Sequence, residues 1–78
     1  MQEVIKNFIL EKFLDNDSRG FSSDTDLSKI LDSMAFLKLI DFLEKEFAIE
    51  IPLNEFYVEN FENVNKIILL VERAKNGT

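Results

Sequence analysis

A serine hydroxyl is the most promising reactive group in this chain. Ser33 stands where an irregular polar stretch, residues 15–32, meets the run Phe36, Ile40, Leu43, Phe47, whose steps of four, three and four residues mark a helix. A hydroxyl at such a junction is exposed while the backbone beneath it is rigid, which suits chemistry with an outside molecule. Asp and Ser are also the residue types that cap helices, so Asp32 or Ser33 could serve only to start this one. Residue types alone leave both readings open.

Other chemistry is sparse. The 78 residues include no His and no Cys, which removes the usual general base, the usual zinc ligand, thiolate metal sites, disulfides and every Ser/His or Cys/His triad. An enzyme would have to work with carboxylates alone, and no spacing here sets two of them across a pocket. The run Asp15-Asn16-Asp17-Ser18-Arg19-Gly20 with Asp24 and Asp26 echoes an EF-hand calcium loop. Arg19, however, occupies the fifth position where a ligand oxygen belongs, Ser22 the eighth where an apolar residue packs, and Asp26 the twelfth in place of Glu. Calcium binding is therefore an alternative with a flawed ligand set.

The net charge is −6, and all of it arises between Asp41 and Glu62, where seven acids face one base. Such a chain repels phosphate backbones, so nucleic acid is not an expected partner, whereas a basic protein surface is. A solvated acidic face that only keeps the chain soluble explains the same charges.

Local elements must position Ser33. Val4, Ile5, Phe8, Ile9 and Phe13 give an amphipathic helix from about Gln2 to Leu14, widened by Leu10 and Leu14. The polar stretch after it is long for a helical connection, and Phe21, Leu27, Ile30 and Leu31 are the residues that can pin it down. The second helix runs to about Phe47. Ile49-Glu50-Ile51-Pro52 reads as extended, and Asn54 to Phe61 leaves room for a short helical turn or two. Asn63 caps a last helix with the stripe Val64, Ile67, Ile68, Val71 and Ala74, closed by Lys75 and Gly77. The expected fold is all-α: one domain over residues 1–78, a small four-helix bundle of three main helices and one short one, with a long first loop. No apolar run approaches the length of a membrane span, and the start lacks a secretory pattern, so a cytoplasmic address is expected. A plain helical interaction domain, docking a partner through Phe36, Phe42 and Leu69, would fit the same elements.

The motif around Ser33 is more specific. Leu31-Asp32-Ser33-Met34, then Leu37, Leu39-Ile40, Leu43-Glu44, Glu46-Phe47 and Ile49-Glu50-Ile51-Pro52, resembles the Asp-Ser-Leu/Met signature of acyl and peptidyl carrier proteins and the helix that follows it. Phe56 to Phe61, Asn63 and the Ile67-Ile68-Val71 stripe are similar to the short third and closing helices of those carriers. Only residues 1–23 match loosely.

The resemblance implies that a phosphopantetheinyl transferase esterifies Ser33 with 4′-phosphopantetheine from coenzyme A, and that the thiol of this arm carries cargo as a thioester. The chain itself would be a non-catalytic, monomeric shuttle between an acyl- or aminoacyl-loading ligase and a downstream acyltransferase or synthase. Asp32 would help present the serine and the metal-bound phosphate to the transferase. Met34 and Leu37 would form an apolar patch read by partner enzymes, and Asp41, Glu44, Glu46 and Glu50 an anionic surround for their Lys and Arg. The helix start suits a phosphodiester, because its free N–H groups and dipole favour an anion.

Two departures from the family pattern narrow the reading. Ala35 and Lys38 stand where carriers of fatty acid synthesis usually have acids, which points to a specialised role, and Lys29 and Ile30 stand where many carriers have a glycine. Leu31-Asp32-Ser33-Met34 and Pro52-Leu53-Asn54-Glu55-Phe56 with Asn65-Lys66-Ile67-Ile68 look most like stand-alone aminoacyl carriers, including the D-alanyl carriers of cell-wall teichoic acid modification, with specialised acyl carriers of secondary pathways a close alternative.

Overall fold

A computed structural model describes residues 1–76. Helix α1 spans Gln2–Phe13, α2 spans Ser33–Phe47 and α3 spans Val64–Lys75, with two 3-10 turns at Leu53–Glu55 and Val58–Phe61. No strand is present among the described residues. The all-helical expectation holds, but the short helix is replaced by the two 3-10 turns, so three α-helices are seen rather than four. Gly77, expected to close α3, lies outside the described residues.

The core is a single apolar cluster to which every helix contributes. Ile5 and Ile9 of α1, Leu39 and Leu43 of α2, and Val64, Ile67 and Val71 of α3 are wholly buried, and Leu70 nearly so. Burying such side chains is worth about 1.5–3 kcal/mol each. Not every expected stripe has the expected centre. On α2, Phe36 and Phe47 are only half-buried, and Ala35 and Leu39 take the centre of the inward face. On α3, Leu70 enters the core and Ile68 sits at its margin.

The long first connection is held to the start of α3. Leu27 is fully buried and donates its N–H to the Glu62 carbonyl at 2.8 Å. Asn65 donates its backbone N–H to the Ser23 carbonyl at 3.2 Å and its side-chain amide to Asp24 Oδ1 at 2.6 Å. Gln2 reaches Ser23 from α1 by a further side-chain hydrogen bond. The connection is thus fastened at Leu27 just before it delivers Ser33 to the helix start.

Both later helices begin with side-chain caps. Asp32 accepts the Ala35 N–H at 2.8 Å, and Asn63 accepts the Lys66 N–H at 2.9 Å, as its place before the last stripe predicts. Helix α2 ends on Ala48 in the left-handed region, φ 53°, with its N–H on the Glu44 carbonyl. Glycine is the usual residue there, so Ala48 carries a steric cost that the surrounding contacts must outweigh. The Glu44 carboxylate supplies one of these contacts by accepting the Ile51 N–H at 2.9 Å, which turns the chain back toward the core at buried Ile51.

Candidate functional site

Ser33 is the first residue of α2, and the cap is Asp32. Asp32 sits in extended backbone, φ −79° and ψ −179°, a geometry that lets its carboxylate fold back over the first turn. Its carbonyl accepts the Phe36 N–H at 2.8 Å and its side chain takes the Ala35 N–H. Capping is therefore complete without the serine. The Ser33 side chain is exposed, and among the described residues nothing hydrogen-bonds its hydroxyl. The Ser33 and Met34 N–H groups likewise have no backbone acceptor. A free hydroxyl beside two free donors at the positive end of a 15-residue helix can bear a phosphodiester, and the residues fit that group.

Beside this end lies an apolar surface. Met34 is 65 % exposed and Leu37 57 %. Leu37 and Glu44 follow Ser33 by four and eleven residues and so share its side of α2. Phe36, on the inward flank, packs edge-on against Phe61 at 4.7 Å and Phe56 at 6.2 Å between ring centres. Those contacts bring the second 3-10 turn alongside, and Ser28, Leu31, Phe36, Val58 and Phe61 enclose a cavity of ≈ 130 Å³. Val58 and, in the same stretch of chain, Leu53 and Tyr57 are all well exposed. Sequence reasoning missed these three. The only available signal was large apolar residues in a stretch with no helical period, bracketed by the phenylalanines that hold it down.

The four acids expected to surround the serine are dispersed. Asp41 pairs with Lys45 at 3.1 Å, one turn on. Glu44 is half-buried and engaged with the Ile51 N–H. Glu46 lies toward α1, where with Asp41 it lines a groove of ≈ 540 Å³ whose walls include Phe8, Phe42, Lys12 and Lys38. Glu50 is exposed beyond the end of α2. Phe8 and Phe42 stack across that groove at 3.9 Å, so Phe42 serves to join two helices of the bundle.

The loop that resembles an EF-hand has another organisation. Arg19 holds the Asp17 carboxylate by two hydrogen bonds of 3.0 Å, which keeps that carboxyl below the usual range. Asp26 is held low as well, chiefly by the Ser28 N–H it accepts. No group of three acids that could hold a metal ion occurs among the described residues. No described helix is long and apolar enough to cross a membrane.

No family model matches the chain. Individual relatives do match, and over nearly the full length. A probable acyl carrier protein, PigG, of Serratia sp. (strain ATCC 39006) is 35 % identical over 77 residues, covering 96 % of this chain and 88 % of the relative. The D-alanyl carrier protein of Streptococcus suis (strain 98HAH33) is 38 % identical over 68 residues, covering 87 % and 86 %. That of Lacticaseibacillus casei (strain BL23) is 35 % identical over 78 residues, covering 94 % and 96 %. An all-helical chain with an exposed serine, free of any capping role, at a helix start, and with such relatives over most of its length, belongs to the family of acyl and D-alanyl carrier proteins.

Proposed function

We propose that this protein carries an acyl or aminoacyl group as a thioester on a 4′-phosphopantetheine arm attached to Ser33, and that it does so in the cytoplasm without catalysing a reaction itself. The observation that carries the reading is the division of labour at the start of α2: Asp32 caps the helix, and Ser33 keeps a free, exposed hydroxyl. In the loading step a P–O bond forms to Ser33 Oγ as the pyrophosphate link of coenzyme A breaks, releasing adenosine 3′,5′-bisphosphate. The serine proton leaves to a base that the transferase supplies. The arm supplies the thiol that the chain, with no Cys, lacks.

Around the attachment point the chain supplies position and recognition. The free Ser33 and Met34 N–H groups would hold the phosphodiester of the arm, and Asp32 keeps the first turn rigid beneath them. Met34, Leu37, Leu53, Tyr57 and Val58 offer an apolar surface for loading and receiving enzymes. Exposed Asp41, Glu46 and Glu50, with Glu44 at the helix end, supply negative field for basic partners. Ala35 and Lys38 early in α2 favour a specialised pathway over housekeeping fatty acid synthesis.

The deciding experiment is intact mass after incubation with coenzyme A and a broad-specificity phosphopantetheinyl transferase. One phosphopantetheine should be gained by the native chain and none by Ser33→Ala. An unmodified native chain under conditions that load a known carrier overturns the proposal.

A further inference from the structure

The stretch between the two 3-10 turns holds large apolar side chains in water, and a polar clasp on the far side of the chain fixes it there. Tyr57 is 60 % exposed and Val58 69 %, although they sit between Phe56 and Phe61, which turn inward to Phe36. Phe56, φ −80° and ψ 57°, is the centre of a tight inverse turn in which the Tyr57 N–H meets the Glu55 carbonyl at 2.8 Å. Asn60 closes the same stretch from the other end: its side-chain amide donates to the Glu55 carbonyl at 2.8 Å and to Glu55 Oε1 at 3.1 Å. Arg73, at the last turn of α3, then ties both residues to the helix. Its Nη2 donates to Glu55 Oε1 at 3.2 Å and to Asn60 Oδ1 at 3.3 Å, and its Nε reaches Glu55 Oε2 at 3.4 Å.

The geometry points to Glu55, Asn60 and Arg73 as positioning residues for partner recognition: their clasp presents Tyr57 and Val58 as a rigid apolar knob next to the Ser33 end of α2. The occupant is a partner enzyme's apolar cleft rimmed by Lys or Arg, because exposed Glu50, Glu59 and Glu62 belong to the same acidic stretch as the knob. Val58 borders the cavity it shares with Leu31 and Phe36, which bracket Ser33 in the chain, so an enzyme acting at the serine meets the knob as well. Without the clasp the two side chains must be ordered on each encounter, and binding weakens accordingly. This inference rests on the carrier reading, and its test separates the two.

The test compares the native chain with Glu55→Ala, Arg73→Ala and the double variant, using coenzyme A and a broad-specificity phosphopantetheinyl transferase as the probe. Each single change should raise KM for the carrier by roughly tenfold with kcat unchanged, the size of ordering two side chains anew. The double variant should be no worse than the singles, because both remove one clasp. Amide exchange should accelerate at Tyr57 and Asn60, whose N–H groups are bonded within the clasped stretch, and stay constant at Leu39 and Leu43 of α2. An unchanged KM in both single variants overturns the inference. So does exchange that accelerates equally in α2, which makes the clasp a general stabiliser. A native chain that gains no phosphopantetheine overturns the carrier reading and this one with it, and that outcome is read before any variant is made.

Discussion

Asp32 Oδ1 takes the Ala35 N–H at 2.8 Å, and this single bond leaves the neighbouring Ser33 hydroxyl unengaged. Two adjacent residues of capping type thus have separable roles, and substitution should separate them. Asp32→Ala should cost about 1 kcal/mol of stability, the usual price of losing an N-cap. Ser33→Ala should leave stability within about 0.5 kcal/mol, as an exposed residue with no partner does, while abolishing phosphopantetheine uptake. Urea titration of both variants, set beside their intact masses, checks the pair. A Ser33→Ala variant as unstable as Asp32→Ala would return the serine to the role of a cap.

Glu44 should show stability effects that its place in the acidic stretch does not announce. Its carboxylate accepts the N–H of Ile51, a buried residue, immediately beyond the left-handed turn at Ala48. Glu44→Ala leaves that donor without an acceptor and should cost about 1–3 kcal/mol. Exposed Glu46→Ala and Glu50→Ala should stay within about 0.5 kcal/mol. Denaturant midpoints of the three variants distinguish a carboxylate that holds the chain from ones that face solvent.

What the sequence reveals here depends on the range of the interactions involved. The start of α2 and the cap at Asn63 were legible because capping is local: the residue type, its neighbour and the first apolar step lie within four positions. The inward face of α2 was legible only approximately. Phe36 and Phe47 continue the apolar spacing, but Phe36 leans toward Phe56 and Phe61, so the smaller Ala35 and Leu39 occupy the centre. The exposed group Leu53, Tyr57 and Val58 was not legible, since its exposure follows from anchors on both sides and from a clasp to Arg73, eighteen residues beyond Glu55. No period in the chain encodes a contact of that kind.

The clasp should also respond to acid in a direction set by Glu55. Arg73 beside it, by hydrogen bonding first and by charge in addition, holds the Glu55 carboxyl below its ordinary value. A carboxylate with a lowered folded-state pKa gives its stabilisation in full above the ordinary value and loses it as pH falls through the lowered one. Carbon-detected titration should therefore find Glu55 ionising at lower pH in the native chain than in Arg73→Ala. The Tyr57 ring signals should move with the same midpoint. A Glu55 that titrates identically in both proteins would mean that the ion pair is not formed in solution.

Two adjacent leucines on α3 provide a test of the bundle's register. Leu70 is 1 % exposed within the core cluster and Leu69 is 50 % exposed. Successive residues on a helix are turned about 100° apart, so no rotation of α3 buries both in the same core. Leu70→Ala should cost about 2–5 kcal/mol through lost burial and an unfilled cavity, which could unfold so small a bundle. Leu70→Met, which nearly conserves volume, should cost less than about 1.5 kcal/mol and keeps the test readable if the alanine variant does not fold. Leu69→Ala should change stability by no more than about 0.5 kcal/mol. A partner helix docking on Leu69, as a plain interaction domain would require, predicts that Leu69→Ala removes binding without touching stability. The carrier reading predicts undiminished phosphopantetheine uptake in that variant, because Leu69 lies outside the surface built from α2 and the 3-10 turns. Thermal melts together with intact mass on the same three proteins therefore test the register of α3 and the location of the functional surface at once.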